Sequence, residues 1–357
     1  MLPLPLTLLV FGLAVLTGIV GTWLARFVAL RIGFVNHPNP IIPDHRTAVA
    51  YGGGFGILFG ALVALALALP FTAEVLGGAD GATRIGVTPP SILVGAILFA
   101  TLGLTDDLHS YVSHYKFILQ GIAALVTMII GAFDPYAGLV HPLTGVLILD
   151  AMFSGLWILA VVNALNFVDV CDGLAATVAG LTLLLWGLVP GFSPYPAVAL
   201  AFAGACFGFL VWNRPPAKIY MGDAGSNFLG FLLAAMILSE QSQTPAFPWL
   251  AMMCLWAGVP FFELLFISGV RMKKGLPWWK GSPDHFSLRL QRAGFTKAQV
   301  DLIAGAFVLF LWTCAAVMAR LHWGAALVLS VILAIWTALI WRWLLRWEVR
   351  PEPEPPT

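Results

Sequence analysis

The chain has 357 residues, of which 60% are apolar and only 10% charged, and its formal net charge is +1. A soluble domain carries about a quarter charged residues, so a chain this apolar has too little polar surface to cover itself in water. The composition excludes an ordinary soluble enzyme, and the near-zero charge leaves no electrostatic footprint for nucleic acid.

The apolar residues come in long runs. In chain order these cover 2–30, 56–69, 89–105, 117–133, 145–164, 174–189, 197–212, 228–238, 249–270, 302–319 and 323–341. Runs of about 18 apolar residues read as membrane spans, and the shorter ones must recruit their flanks. The pattern predicts an all-α, polytopic membrane protein with about eleven transmembrane helices and a single transmembrane catalytic domain over 1–349. The first run lacks a basic leading segment and a small-residue cleavage site, so it reads as a span and not as a signal peptide. The Pro/Glu-rich end, 350–357, reads as a disordered cytoplasmic tail. Of the 18 Lys and Arg, all but Arg84 and Arg320 lie at one end of the predicted spans. Cytoplasmic loops carry the basic excess, which places the N-terminus outside and the C-terminus inside. Cys171, Cys206, Cys254 and Cys314 form no CxxC pair and read as small packing residues.

The carboxylates are distributed unevenly. Asp44, Asp106, Asp107, Asp169, Asp172, Asp223, Glu263, Asp284 and Asp301 all fall on the inner side of this topology. An ionisable residue at membrane depth is costly and marks function by default. Asp106 and Asp107 close the third span, and Lys116 and Gln120 follow on the next helix. Adjacent carboxylates repel unless a cation or a proton intervenes, which favours a functional pair over two solvated helix-end residues. Asn163, Asn166, Asp169 and Asp172 recur at every third position before Gly173. On one helix that spacing turns two amides and two carboxylates toward a common point, an oxygen-rich face suited to a hard cation. Asp223 lies between Gly222 and Gly225 in a turn expected to lead into the eighth span, with Ser226 as its N-cap. Turn amides and helix N-termini attract anions, so Asp223 beside them implies a metal ion between itself and a phosphate.

Two further segments are polar on the same side. One is 35–54, where Gly52, Gly53 and Gly54 read as helix-packing residues. The other is the loop 271–297, whose seven basic residues follow from the positive-inside bias and whose His285 does not.

As a set, these motifs resemble the polyprenyl-phosphate N-acetylhexosamine-1-phosphate transferases, the glycosyltransferase family 4 that also takes in phospho-N-acetylmuramoyl-pentapeptide transferase. The resemblance runs from about Asn36 to Leu290. It rests on the Asp106–Asp107 pair with Lys116, on Asn163-x-x-Asn166-x-x-Asp169-x-x-Asp172-Gly173, and on Asn213 with Pro216-Ala217-Lys218 and Met221-Gly222-Asp223-x-Gly225-Ser226. The resemblance implies Asp223 and Asn166 as Mg²⁺ ligands, with Mn²⁺ as a substitute. It implies Asp106, Asp107, Asp169 and Lys116 as the catalytic group, with Lys116 on phosphate. Asn163, Asp172, Asn213, Tyr220, Arg46 and His285 form the expected substrate-binding set. Two departures stand out: the last inner loop of the family carries several His, of which only His285 remains here, and Glu263 stands where an Asp is common.

The implied activity is transfer of a sugar-1-phosphate, N-acetylhexosamine-1-phosphate first, from a UDP-sugar to undecaprenyl or polyprenyl phosphate, with release of UMP. A multi-pass bacterial inner-membrane enzyme with a cytoplasmic active site, bound to membrane lipids and forming a homodimer, is the corresponding expectation. Phospho-N-acetylmuramoyl-pentapeptide transfer is the alternative within the family. A secondary transporter is the alternative from another class. Transporters place their ionisable residues near the midplane, often with repeat symmetry. Here the carboxylates gather at one face, and the sequence shows no convincing internal repeat.

Overall fold

The computed structural model describes residues 2–36, 48–75, 90–109, 111–133, 138–190, 192–193, 195–240 and 246–349. Arg46 and the tail 350–357 lie outside these residues. The described chain is helical apart from one two-stranded antiparallel ribbon, β1 (Val35–Asn36) with β2 (Val49–Ala50). The helices are α1 (Leu4–Ile32), α2 (Gly53–Val75), α3 (Pro90–His109), α4 (Ser113–Ala132), α5 (Leu147–Val168), α6 (Leu174–Leu188) and α7 (Pro196–Asn213). They continue as α8 (Gly222–Leu238), α9 (Ala246–Trp256), α10 (Gly258–Lys273), the short α11 (Phe286–Arg292), α12 (Lys297–Met318) and α13 (Trp323–Leu344).

Seven of these helices (α1, α3, α4, α5, α7, α12 and α13) are long and apolar enough to cross a membrane. The pair α9–α10, bent by 80°, makes an eighth if it counts as one broken span. Three more expected runs fall on shorter apolar helices, at Gly53–Ala68, Leu174–Leu188 and Gly222–Leu238. The chain is thus an all-helical, multi-pass membrane protein in which seven or eight spans meet the length requirement.

The most enclosed helices are α7 and α8, which pack among α1, α2, α3, α5 and α6. Every residue of α8 except Asp223 is buried. With no water to drive association inside a bilayer, helices hold together where small residues let backbones touch. A Cβ on Gly54 would lie 2.3 Å from the Cα of Gly225, so the Gly52–Gly54 run joins α2 to α8 by packing, as expected. The ribbon extends this seam: Gly53 and Gly54 donate to the carbonyls of Tyr220 and Met221 (2.8 and 3.0 Å), and Tyr220 donates to Ala50 (2.9 Å).

Polar contacts fasten the C-terminal end of α13. Arg289 of α11 is fully buried, pairs with Asp284 at 2.6 Å and donates to the carbonyl of Leu344 at 3.2 Å. Lys274 reaches both Asp284 (2.9 Å) and Glu348 (2.8 Å). Burial acts to raise the Asp284 carboxyl, but Lys274 and Arg289 outweigh it and hold it below its ordinary range. Breaking a buried ion pair from one side costs about 3–5 kcal/mol when the other charge is left uncompensated; with Lys274 still on Asp284, that range is the upper bound here. Arg289→Met is therefore expected to lower unfolding stability in detergent by up to that amount. Because the folded-state pKa of Asp284 is depressed, its contribution is complete above the ordinary carboxylate range and is lost as pH falls through the folded value. Equal stability of Arg289→Met and the parent at neutral pH would refute this role.

Candidate active site

The C-terminal ends of α3, α5 and α7 and the N-terminal ends of α4, α8 and α12 bring six aspartates, two lysines and two asparagines together. At the centre is Asp223, the second residue of α8. Lys116, from the first turn of α4, pairs with Asp223 and also with Asp106 at 2.8 Å. Asn166, in the last turn of α5, donates to Asp223 Oδ1 and to Ser226 Oγ, both at 2.9 Å. One ammonium and one amide thus hold a carboxylate that a bilayer would otherwise expel.

Asp107 does a different job. Its two oxygens accept from the backbone N–H groups of Asp223 (2.8 Å) and Ala224 (3.1 Å). The first amides of a helix have no partner inside it, and a carboxylate there also meets the positive end of the helix dipole. The residue preceding α8, Met221, makes no side-chain cap, so the cap is supplied by α3 from outside. Tyr51 adds a hydrogen bond to the same carboxylate. This corrects the expected start of the helix. α8 begins at Gly222, Ser226 lies inside it, and the Ser226 hydroxyl serves Asn166 rather than the helix end. Gly222 has φ +80°, a conformation glycine adopts without strain, and a Cβ there would come 2.8 Å from Asp107 Oδ2. Gly103 is needed for approach: a Cβ there would meet the carbonyl oxygen of Asp223 at 2.2 Å.

The three-residue array after Asn163 divides. α5 ends at Val168, so Asp169 caps it and Asp172 sits on the turn beyond. Asn163 points to Gln120 (2.8 Å) and the Leu159 carbonyl, away from Asp223. The single common face expected from the spacing is therefore not formed, because the helix stops before the array does. The Asp169 side chain has no hydrogen bond among the described residues. Burial, with Asp223, Asp107 and Asp172 around it, pushes its carboxyl well above the ordinary range. Asp172 accepts from the Ala217 amide and pairs with Lys297, both at 3.2 Å. Asn213 fastens this turn, accepting from the Gly173 amide at 2.9 Å and donating to the Ile219 carbonyl at 2.8 Å. Tyr220 stands beside these groups, and burial followed by Asp172 and Asp169 pushes its hydroxyl up to about 12.

Four contributors escaped the sequence reading. Tyr51 carried no local signal. Lys297 was counted with the basic loop, and Ser226 was read as a cap. Asp301 belongs to none of the motifs, yet it lies against Gly173, where a Cβ would meet its Oδ2 at 2.5 Å, and its buried Oδ1 has no partner among the described residues. His285 makes no hydrogen bond to Asp223 among the described residues and instead bonds Glu263.

Comparison with known proteins bears on this arrangement. The family model described as glycosyl transferase family 4 matches residues 89–240, which carry Asp106 through Asp223. A decaprenyl-phosphate N-acetylglucosaminephosphotransferase of Mycobacterium leprae is 30% identical over 324 residues, covering 83% of this chain and 77% of that protein. The chain belongs to glycosyl transferase family 4. An undecaprenyl-phosphate alpha-N-acetylglucosaminyl 1-phosphate transferase of Yersinia pestis is 27% identical over 301 residues, 79% of this chain and 76% of its own length. A phospho-N-acetylmuramoyl-pentapeptide-transferase of Thermosynechococcus vestitus is 31% identical over 230 residues, covering 58% of this chain and 56% of that one.

If Asp107 is the cap of α8, removing its carboxylate frees two amides. Asp107→Ala should cost about 0.5–2 kcal/mol, the range for lost N-caps. Amide hydrogen exchange at residues 223 and 224 should quicken, whereas Asp106→Ala should leave those amides protected. Unchanged exchange in the Asp107 variant would show that the cap comes from elsewhere.

Proposed function

We propose that this family member transfers a sugar-1-phosphate, N-acetylglucosamine-1-phosphate first among the candidates, from a UDP-sugar to a polyprenyl phosphate with release of UMP. The observation that carries the reading is the Lys116–Asp106–Asp223–Asn166 constellation, set within a sequence shared along most of its length with enzymes named for that reaction. In the reaction, an oxygen of the lipid phosphate attacks the β-phosphorus of the donor. The bond from that phosphorus to the bridging oxygen breaks, and UMP leaves with the bridging oxygen. Both reactants are anions, so charge compensation and positioning supply most of the rate.

Lys116 is the cation of this chain closest to the chemistry. It is suited to drawing a phosphate toward Asp106 and Asp223. Asp107, with its oxygens engaged on α8, keeps Asp223 in place and is assigned a positioning role. Asp172, Asn213 and Tyr220 form the wall assigned to the nucleoside, with Arg46 and His285 completing the substrate-binding set. Asn163 supports α5 from behind through Gln120.

The donor set also suits a divalent cation. The side-chain Oδ1 of Asn166 and the Asp169 carboxylate have no donor among the described residues, and Asp223 adds a third hard oxygen ligand. Oxygen ligands of this kind match Mg²⁺ (or Mn²⁺) better than a softer metal. Among the described residues no three His, Cys, Asp or Glu side chains already stand as a ligand group, which fits Mg²⁺, since it takes one or two carboxylates plus water and substrate phosphate. When bound, the ion supplies charge neutralisation for the diphosphate. We assign Asp223 and Asn166 to hold it, with Asp169 in its surroundings.

We further assign the cluster to the cytoplasmic face of a bacterial inner membrane, with eleven crossings and the N-terminus outside. The basic-residue bias supports this placement. Muramoyl-pentapeptide transfer remains the second reading, favoured by the relative from Thermosynechococcus vestitus.

The test is UMP release from purified full-length protein with undecaprenyl phosphate and Mg²⁺ across a panel of UDP-sugars. UDP-N-acetylglucosamine should be turned over faster than the muramoyl-pentapeptide donor. EDTA should stop release and Mg²⁺ restore it. Asp223→Asn should lower turnover by about 10³-fold, the scale lost when charge compensation is removed from phosphoryl transfer, without a change in thermal unfolding. Release by none of the donors, or near-normal turnover in Asp223→Asn, would defeat the assignment.

A further inference from the structure

Glu263 is fully buried in α10, a costly place for a carboxylate. Both of its oxygens are used. Oε1 lies 2.6 Å from Nδ1 of His285, and Oε2 accepts from the backbone N–H of Phe286 at 3.1 Å. The second contact alone would suffice to fasten the start of α11, so the first calls for its own reason. A carboxylate at Nδ1 fixes the proton there and fixes the ring plane, as in catalytic and metal-bound histidines. The ring is then left with Nε2 as its working nitrogen. Nε2 has no hydrogen bond among the described residues, and it is not among the atoms sealed from solvent without a partner.

The loop that carries His285 borders the active site on two sides. Trp278 packs on Phe117, the neighbour of Lys116, with ring centroids 5.1 Å apart. Gln291 donates to the sulfur of Cys171 at 3.5 Å, between Asp169 and Asp172. Arg271, on the same helix as Glu263, stacks over Phe167, the neighbour of Asn166, at 5.2 Å. A helix carrying Glu263 and a loop carrying His285 thus both abut residues next to the proposed ligands.

We propose that Glu263 is a positioning residue of the transfer reaction: it holds His285 with Nδ1 protonated so that Nε2 is the nitrogen presented to the phosphate groups of the donor. When the ring carries a proton on Nε2 as well, that N–H donates to a phosphate oxygen. No bond to phosphorus is made by the ring. The inference rests on the proposed phosphotransfer activity.

The test uses full-length protein with undecaprenyl phosphate and the best UDP-sugar, comparing Glu263→Gln, Glu263→Asp, His285→Ala and the double variant Glu263→Gln with His285→Ala. Loss of a partner that orients a functional group typically costs about 10–100-fold, and that is the fall in kcat/KM expected for Glu263→Gln. Glu263→Asp, which keeps the charge, should recover part of it. The double variant should be no worse than His285→Ala alone, since a residue acting through His285 has nothing left to act on. Losses that multiply, or normal turnover in His285→Ala beside a dead Glu263→Gln, would show that Glu263 serves only the packing of α10 and α11.

A second readout needs no turnover. Diethyl pyrocarbonate should modify His285 in the folded wild-type protein, with UDP slowing the reaction, as read by mass spectrometry. If His285 is modified only after unfolding, the proposal falls even when UMP release is normal. If no donor releases UMP but UDP still protects His285, the phosphotransfer reading fails while the placement of His285 at a nucleotide site stands.

Discussion

One ammonium shared between two carboxylates sets the rest of the site. Lys116 lies between Asp106 and Asp223 and links the start of α4, the end of α3 and the start of α8. Without it, Asp106, Asp107 and Asp223 would repel one another in a low-dielectric region where little screening is available. With it, Asp223 can occupy the N-terminus of a helix that is otherwise buried. The remaining carboxylates are then held by separate means. Asp107 is satisfied by two backbone amides and Asp172 by Lys297 and an amide, while Asp169 has no hydrogen bond among the described residues. A site that binds two anionic substrates, as proposed here, would need this division. Some carboxylates have to be committed to structure so that others stay free for a cation.

The sequence disclosed the chemistry more fully than the geometry. Charged residues are rare in this chain, so each one at a span end stood out, and Asp106, Asp107, Lys116, Asn166 and Asp223 were all legible. Long apolar runs likewise located the helices, because a run and a span obey the same length rule. What was illegible depended on contacts between distant segments. No local pattern shows that Asp107 caps a helix starting at residue 222, and so Ser226 took the capping role in the sequence reading. No pattern shows that Asp301 and Lys297, on α12, close the far side of the turn at Gly173. The array from Asn163 to Asp172 was misread for a related reason: its spacing is helical, but α5 ends at Val168.

The same contacts bear on depth, which separates an enzyme working on a membrane lipid from a transporter. The carbonyl of Asp223 abuts Gly103, and α3 continues from there to His109. At 1.5 Å per residue, those six residues carry α3 about 9 Å beyond the level at which α8 begins. α8 itself has 17 residues and α6, which also starts at the site, has 15. Both fall short of the roughly 20 residues that a hydrocarbon core of about 30 Å requires. The carboxylates therefore sit in a recess at one end of the bundle. On the proposed reaction, that end of the bundle suits a lipid phosphate, which remains tied to the membrane surface by its own chain, and a nucleotide sugar, which would arrive through water, so that neither would have to cross the bilayer.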